Sequence, residues 1–576
     1  MQRLQPGWFN GVDPFDLLQW NNTVSAFKEK LAEGGYLEGL LDKYLLNDRT
    51  LTFTMEPSST YGEDLVKEES KRLASKIAEV ESKLGGTKEA QQALTAREHE
   101  LVEVQNSARS MDISCLPTVH VADISRRIEK KPTRDSQLND VKIQWREAST
   151  NGLTYFRAIN TLSGLPTELR SLIPLFNDAI MRIGTKDKSM EEIEDLIKLK
   201  TGGINTSHYA TSDPIDHLRA TEGISLSGYA LDQNIPDMYE LLRLVIQETN
   251  FDGLEAENMI RQLLQSDASG ALNAVASSGH AYARRYAEAN LTPLGSLVEQ
   301  VSGLTQVRNI TTLAARTSEQ GLSDVIQKLK TIQGIAISNS SNFRAAITCG
   351  PESVSSNEEA MTKFLSKLPT KSTLGGSSAS ISTPPQRTSK TFFPLPYQVY
   401  YSGTTLPTVS YVSASSAPLS ILAQLLTHKH LLHEIREKGG AYGGGAYAKG
   451  LSGTFGFYSY RDPNPQNTVK IVADAGRWAR DRQWTEQELE EAKLSVFQGI
   501  DAPESVNQEG MTRFLSGIDE DMEQQQRERL LDVKIEEVRN VADEFIVKGM
   551  GNASTAILGE KKDWVDNDWN VVDINV

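Results

Sequence analysis

Residues 430–445 read HLLHEIREKGGAYGGG, and with His428 just upstream they bring together histidine, glutamate, arginine, tyrosine and five glycines. Three chemistries use such residues. A peptidase zinc site sets two histidines four apart on one helix with a glutamate beside them, as H-E-x-x-H or H-x-x-E-H. Here His430 and His433 are three apart, Glu434 and Glu437 follow them, and His428 falls about 200° round from His430 at 3.6 residues per turn. Neither motif occurs elsewhere, and histidines 99, 120, 208, 217 and 280 stand singly. Polar residues on a partly exposed helix describe the trio better than metal ligands, so no metal site is assigned. A phosphate cradle places glycines ahead of a helix N-terminus. Here the helix runs into the glycines with its negative end, and no G-K-[ST] follows.

The third chemistry is oxyanion stabilisation. Arg436 and Tyr442 flank Gly439 and Gly440. One brings a permanent charge with fixed donors, the other a phenolic donor, and together they can hold a carbonyl oxygen as it gains negative charge. Gly439, Gly440, Gly443, Gly444 and Gly445 are expected to form a flexible loop or to let another backbone come close. A plainer reading, with Arg436 capping helix carbonyls and Tyr442 packing, stays open on residue types alone.

The elements that position this stretch read as one plan used twice. MEEIEDLIKLK leads to TGG at 201–203, and LAQLLTHKHLLHEIRE leads to KGG at 438–440. GISLSGYALDQNIPD opens at Gly223 and GTFGFYSYRDPNPQN at Gly453, each a strand pattern ended by turn residues and followed by a helical run. RAAITCG and STAILG close the two copies. Matching Gly202 to Gly439 sets Leu199 against Arg436 and Asn205 against Tyr442, so the scaffold does not need Arg and Tyr merely to fold. Two unrelated α+β domains would imitate part of this pattern. In the last copy Thr485 and Glu488 form a capping box, with Leu489, Ala492 and Val496 on one helix face.

Upstream, Leu73, Ile77, Val80 and Leu84 make an amphipathic stripe. Gly85 and Gly86 stop it, Thr87 is placed to cap a second helix, and Leu94, Leu101 and Val104 give that helix its own apolar side. This is a helical hairpin, either a connector or a pair inside one domain. Earlier still, Leu51, Phe53 and Met55 alternate with Thr52 and Thr54, a strand closing a unit whose body is not in the chain. Residues 369–390, rich in Ser, Thr, Gly and Pro, read as a linker.

The 576 residues carry a net charge of −16, which disfavours nucleic acid or anionic lipid and suits a cationic peptide. No apolar run is long enough to span a membrane. Two cysteines, Cys115 and Cys349, indicate a reducing compartment. The first twenty residues have neither signal- nor transit-peptide character.

EIREKGGAYGGG followed by FGFYSYRDPNPQNT resembles the C-terminal part of presequence proteases, the mitochondrial zinc oligopeptidases of the pitrilysin group. CLPTVHVADI, TNGLTYFRAINT, LPTELRSLIPLF, LKTGG, ALDQNIPDM and EAKLSVFQGIDAP extend the likeness over nearly the whole chain. The resemblance implies an α+β fold of repeated pitrilysin-like αβ domains, helices packed on mostly antiparallel sheets. Residues 1–60 would be the C-terminal remnant of a preceding domain, 61–112 the helical-hairpin hinge and 113–368 the third domain. Residues 369–388 would be a flexible linker, and 389–576 the fourth domain. It further implies a zinc metallo-endopeptidase degrading targeting presequences and other short unstructured peptides in the mitochondrial matrix, monomeric when intact. The zinc ligands and general base would lie in an N-terminal half that this chain lacks, Met1 falling where the family has chain interior. The family's substrate-holding Arg and Tyr carry over onto Arg436 and Tyr442. Cys115, after the hinge, becomes the candidate for a redox lock with that half. A catalytically inactive peptide-binding or partner subunit of the same fold is the alternative.

Overall fold

The computed structural model describes residues 4–109, 115, 118–370 and 389–574; nearly all of the expected linker, 371–388, lies outside the described residues. The chain divides into two compact units, Met1–Pro117 and Thr118–Val576.

The first unit is helical, and among its described residues only Ala90 is buried. The expected hairpin is formed by Tyr61–Leu84 and Thr87–Arg109. Gly85 closes the first helix at φ +93°, where a side chain would be strained. Thr87 is not the cap. It is already helical, and the carbonyl of Gly86 accepts the Ala90 N–H at 3.0 Å. The stripe residues Leu73, Ile77, Leu94 and Leu101 face solvent. Residues 51–55 form no strand, contrary to the alternation. Leu51, Phe53 and Met55 are 91%, 77% and 81% exposed. A lone strand cannot satisfy its backbone donors and acceptors, and no second strand occurs among the described residues of this unit.

The second unit holds two six-stranded sheets. The first contains β1 (Arg134–Leu138), β2 (Val141–Glu147), β3 (Leu153–Thr161), β4 (Gly203–Ser212), β5 (Ala220–Leu231) and β6 (Phe343–Cys349), in the order β1-β2-β6-β3-β5-β4. The second contains β7 (Lys390–Pro394), β8 (Tyr400–Pro407), β9 (Gly443–Lys449), β10 (Thr454–Asp462), β11 (Ser554–Gly559) and β12 (Asn570–Val571), in the order β12-β7-β11-β8-β10-β9. Five strands correspond one to one; among these, β2–β6 and β7–β11 are the parallel pairs and the others antiparallel, while the extra strand β12 joins β7 in parallel. The repeat read from the sequence is thus a repeat of topology.

Alternation sets each inner face: Val141, Ile143 and Trp145 of β2 join the first core, Phe455 and Phe457 of β10 the second. The two cores interlock. The long helix Leu254–Ala289 seats Ile260 and Leu264 in the first core, then lays Val275 and Ala283 against Phe393, Tyr401 and Leu558 of the second sheet. In return Met511 and Phe514 cover Ile159 and Ala346 of the first sheet, and the Tyr209 hydroxyl donates to the Leu515 carbonyl. Residues 118–131, assigned from the sequence to the earlier copy, run across helices of the later one: Val121 and Ile124 pack there, and Arg126 meets Asp532 at 2.6 Å. Among the described residues no helix is long and apolar enough to cross a membrane.

Candidate functional site

The helix before the glycines is not an α-helix. Ser416–Leu426 is α-helical, but Thr427–Lys438 continues as a π-helix, whose i→i+5 bonds widen each turn and whose occurrence often marks functional segments. Leu431 and Ile435 are its fully buried anchors, each worth about 2 kcal/mol of burial. Its C-terminus is closed by glycine. Gly440 takes φ +80°, its N–H reaches the Arg436 carbonyl at 3.0 Å, and the Ala441 N–H reaches that of Ile435 at 3.1 Å. This is the bonding of a Schellman cap widened by one residue to suit the π-helix.

Gly443, Gly444 and Gly445 are not loop residues, as the glycine count suggested. They open β9 and pair with Tyr460, Ser459 and Tyr458 of β10. Their smallness serves close approach: a Cβ on Gly444 would lie 2.8 Å from Ile435 Cγ2, and one on Gly445 3.1 Å from Thr427 Oγ1. Thr427 clamps the contact, its hydroxyl accepting the Ala446 N–H at 2.8 Å. Only Gly439–Tyr442 is connection, and Gly439 is pressed against the Ile435 carbonyl.

The two predicted residues flank that short connection, Arg436 in the last turn of the π-helix and Tyr442 at the connection's end. Arg436 is exposed, and the acids near it are otherwise engaged: Glu434 with Lys438 at 2.8 Å, Glu437 with His433 at 2.6 Å. The Lys438 hydrogen bond also holds the Glu434 carboxyl below the usual carboxylate range. Tyr442 is fixed through its backbone, whose N–H donates to the Tyr460 carbonyl at 3.0 Å, while its side chain is 67% exposed. A cationic fork and a phenol thus stand in solvent on either side of a turn whose N–H groups are all hydrogen-bonded.

The histidines part ways. His430 stacks on Trp478 at 4.2 Å and 12°, and burial holds its imidazole below the usual range. His433 faces solvent with Glu437, and His428 is exposed. Among the described residues no group of three or more His, Cys, Asp or Glu is gathered as a metal would need, so the residues present do not fit a zinc ion. Both cysteines are free: Cys115 is exposed, while Cys349 is buried and its thiol pushed up to about 12.

Strand pairing corrects the internal alignment. The Gly202 N–H donates to the Tyr229 carbonyl as that of Tyr442 does to Tyr460, so Gly202, not Asn205, occupies the position of Tyr442. The earlier connection is Thr201–Gly202 and the later one Gly439–Tyr442, two residues against four. Counted back from the helix ends Lys200 and Lys438, Arg436 faces Lys198, not Leu199.

Two neighbours escaped the sequence reading. The Asn464 amide donates to the Gly439 carbonyl at 2.8 Å, bracing the turn, and its own N–H is held by buried Asp462 at 2.8 Å. Arg461 lies over the Tyr442 ring at 5.5 Å and the Tyr460 ring at 5.4 Å. The D-P-N-P turn signal was visible, but nothing in it says which side chain faces the glycine turn.

Residues 55–313 match the family model of the region associated with peptidase family M16, subfamily C, and residues 390–558 match "PreP C-terminal domain". Mitochondrial presequence proteases of Gibberella zeae, Aspergillus fumigatus and Saccharomyces cerevisiae are 55%, 48% and 33% identical over 99–100% of this chain. The chain spans 54–57% of their length. A peptidase M16 inactive domain from Pseudomonas fluorescens superposes with TM-score 0.54 at 16% identity, over 75% of this chain and 98% of that one. A conserved protein from Enterococcus faecalis does so at 0.56 and 12%, over 74% and 99%. At these identities the likeness shows the fold. The chain therefore belongs to the presequence protease family of pitrilysin-type M16 peptidases.

Proposed function

We propose that this chain forms the C-terminal half of a zinc metallo-endopeptidase that degrades targeting presequences and other short unstructured peptides in the mitochondrial matrix. Residues 113–368 and 389–576 act as the third and fourth domains and wall the peptide chamber. Arg436 and Tyr442 bind the scissile carbonyl and stabilise its developing charge, a role worth about 2.7–4 kcal/mol for one such donor. The zinc and its general base belong to a segment outside this chain; among the described residues no cluster fits that ion. The observation that carries the reading is the placement of Arg436 and Tyr442, both exposed, one on the last helical turn and one at the far end of a connection held by main-chain bonds. The exposed apolar residues of the first unit, Leu51, Phe53 and Met55 among them, suit a surface that the zinc-bearing half covers.

Cleavage of a quenched fluorescent presequence peptide tests this. The purified chain is assayed with zinc, alone and mixed with the separately expressed N-terminal half of the Gibberella zeae relative. Cleavage is expected only in the mixture, falling about 10²–10³-fold in Arg436→Ala or Tyr442→Phe. Chelator-sensitive cleavage by the chain alone would overturn the half-site reading. Association of the halves without cleavage would favour a peptide-binding partner subunit.

A further inference from the structure

Arg461 has an unusual backbone. Its φ is +49°, a left-handed conformation that favours Gly, Asn or Asp and is costly for a long side chain. The cause is a β-bulge: β10 pairs Ser459 with Ser402 and Asp462 with Tyr400, so Tyr460 and Arg461 together face Tyr401. The homologous strand has no bulge. β5 pairs with β3 without interruption from Gly223 to Leu231, and Ala230, at the Arg461 position, is buried. One regular strand thus points its residue into the core, while the bulged one turns a guanidinium outward.

What that guanidinium touches is specific. It lies over the rings of Tyr442 and Tyr460, and among the described residues it pairs with no carboxylate. Close by, the Tyr401 hydroxyl donates to the Ala276 carbonyl on the long helix. Strain held at one residue, beside a side chain expected to touch substrate, points to a role beyond folding.

We infer that Arg461 is a positioning residue for Tyr442, holding the phenol in place through a cation–π contact that the bulged backbone directs. This rests on the function proposed for Tyr442. Without Arg461 the exposed ring would sample several rotamers, and only one presents its hydroxyl to a bound carbonyl.

Arg461→Asn tests this, because Asn is at home in a left-handed backbone. A merely structural arginine and a positioning one then predict opposite outcomes. The variant should keep or raise the Tm while lowering kcat/KM of the two-half mixture about two- to fivefold, the size of an exposed cation–π contact. Arg461→Lys should recover part of the loss. In a Tyr442→Ala background Arg461→Asn should cost nothing further, because both changes act through one side chain. The 19F resonance of 3-fluorotyrosine placed at 442 in this chain should shift and sharpen when Arg461 is replaced. An unmoved resonance, or an equal loss in both backgrounds, would overturn the inference. If the wild-type mixture fails to cleave, the proposed function falls, and the 19F shift still decides the positioning.

Discussion

The same five-strand order occurs twice, and the two free edges, β4 and β9, meet solvent differently. At β4 an α-helix ends, two residues turn, and Gly202 slips beneath the Tyr229 ring, where a Cβ would lie 2.0 Å from Cε2. At β9 a π-helix ends, four residues turn, and Tyr442 stands outward beside a bulge that β5 lacks. The fold requires neither the longer turn, the bulge nor the wider helix, since the first copy closes without them. Departures from regularity that one copy carries and the other omits are where a repeated scaffold is expected to keep its function.

Making the later edge like the earlier one should have the largest effect. Deleting Gly440 and Ala441 gives a two-residue connection like Thr201–Gly202. This should reduce peptide cleavage by the two-half mixture about 10²–10³-fold, as loss of an oxyanion donor does, while circular dichroism stays native. Retained cleavage would separate the turn from the chemistry and break the comparison.

Much of the fold was legible beforehand. Strand patterns at 223–231 and 453–462 and the Thr485–Glu488 box rest on local chemistry, which a sequence displays. The Arg436–Tyr442 pair is instead picked out by its resemblance to a family, its residue types alone leaving a plainer reading open. The rest depends on partners. Leu51, Phe53 and Met55 alternate correctly for a strand that finds no neighbour to pair with among the described residues. Gly443–Gly445 look like a loop until Ile435 and Thr427 press against them. The Gly202–Gly439 alignment matched glycines with different duties, one fitting under a ring and one against a carbonyl. The π-helix and the bulge are changes of one residue in hydrogen-bond register, and no side-chain pattern announces them.

The earlier copy sharpens the contrast with a carboxyl kept inside. Glu299 is buried, accepts the Thr305 N–H at 2.8 Å, and leaves Oε2 without a hydrogen-bond partner. Burial raises its carboxyl from 4.5 to about 7. A raised folded value means that the native state holds a proton which the unfolded chain has released. The resulting stability is full below 4.5 and is lost as pH rises to about 7. Glu299→Gln should therefore stabilise by up to about 3 kcal/mol more at pH 8 than at pH 4.5, read by denaturant melts. A pH-independent difference would show that Glu299 is ionised throughout.

Glycine replacements should separate the two edges on a smaller scale. Gly439→Ala sets a Cβ 2.5 Å from the Ile435 carbonyl, which the π-helix holds rigidly, and should cost about 1–3 kcal/mol. Gly202→Ala meets first the Tyr229 ring, which is 41% exposed and can swing aside. Thermal melts of the two variants should differ in that order; equal losses would mean that the β4 edge is as tightly built as the β9 edge.

The smallest effect concerns helix caps, present in both copies with one difference. Ser189 accepts the Glu192 N–H at 3.2 Å, and Thr485 accepts that of Glu488 at 3.2 Å. Losing such a cap costs about 1 kcal/mol. The Glu488 side chain is also gripped by Arg482 at 2.8 Å, and Arg482 in turn covers Trp478 and Trp484. Because that grip survives truncation of Thr485, its helix start stays anchored, so Ser189→Ala should lower Tm more than Thr485→Ala. Neither should change cleavage, because neither cap touches the Arg436–Tyr442 turn. A loss of cleavage in Thr485→Ala would mean that Glu486–Ile500 helps to set that turn through the Trp478 stack on His430.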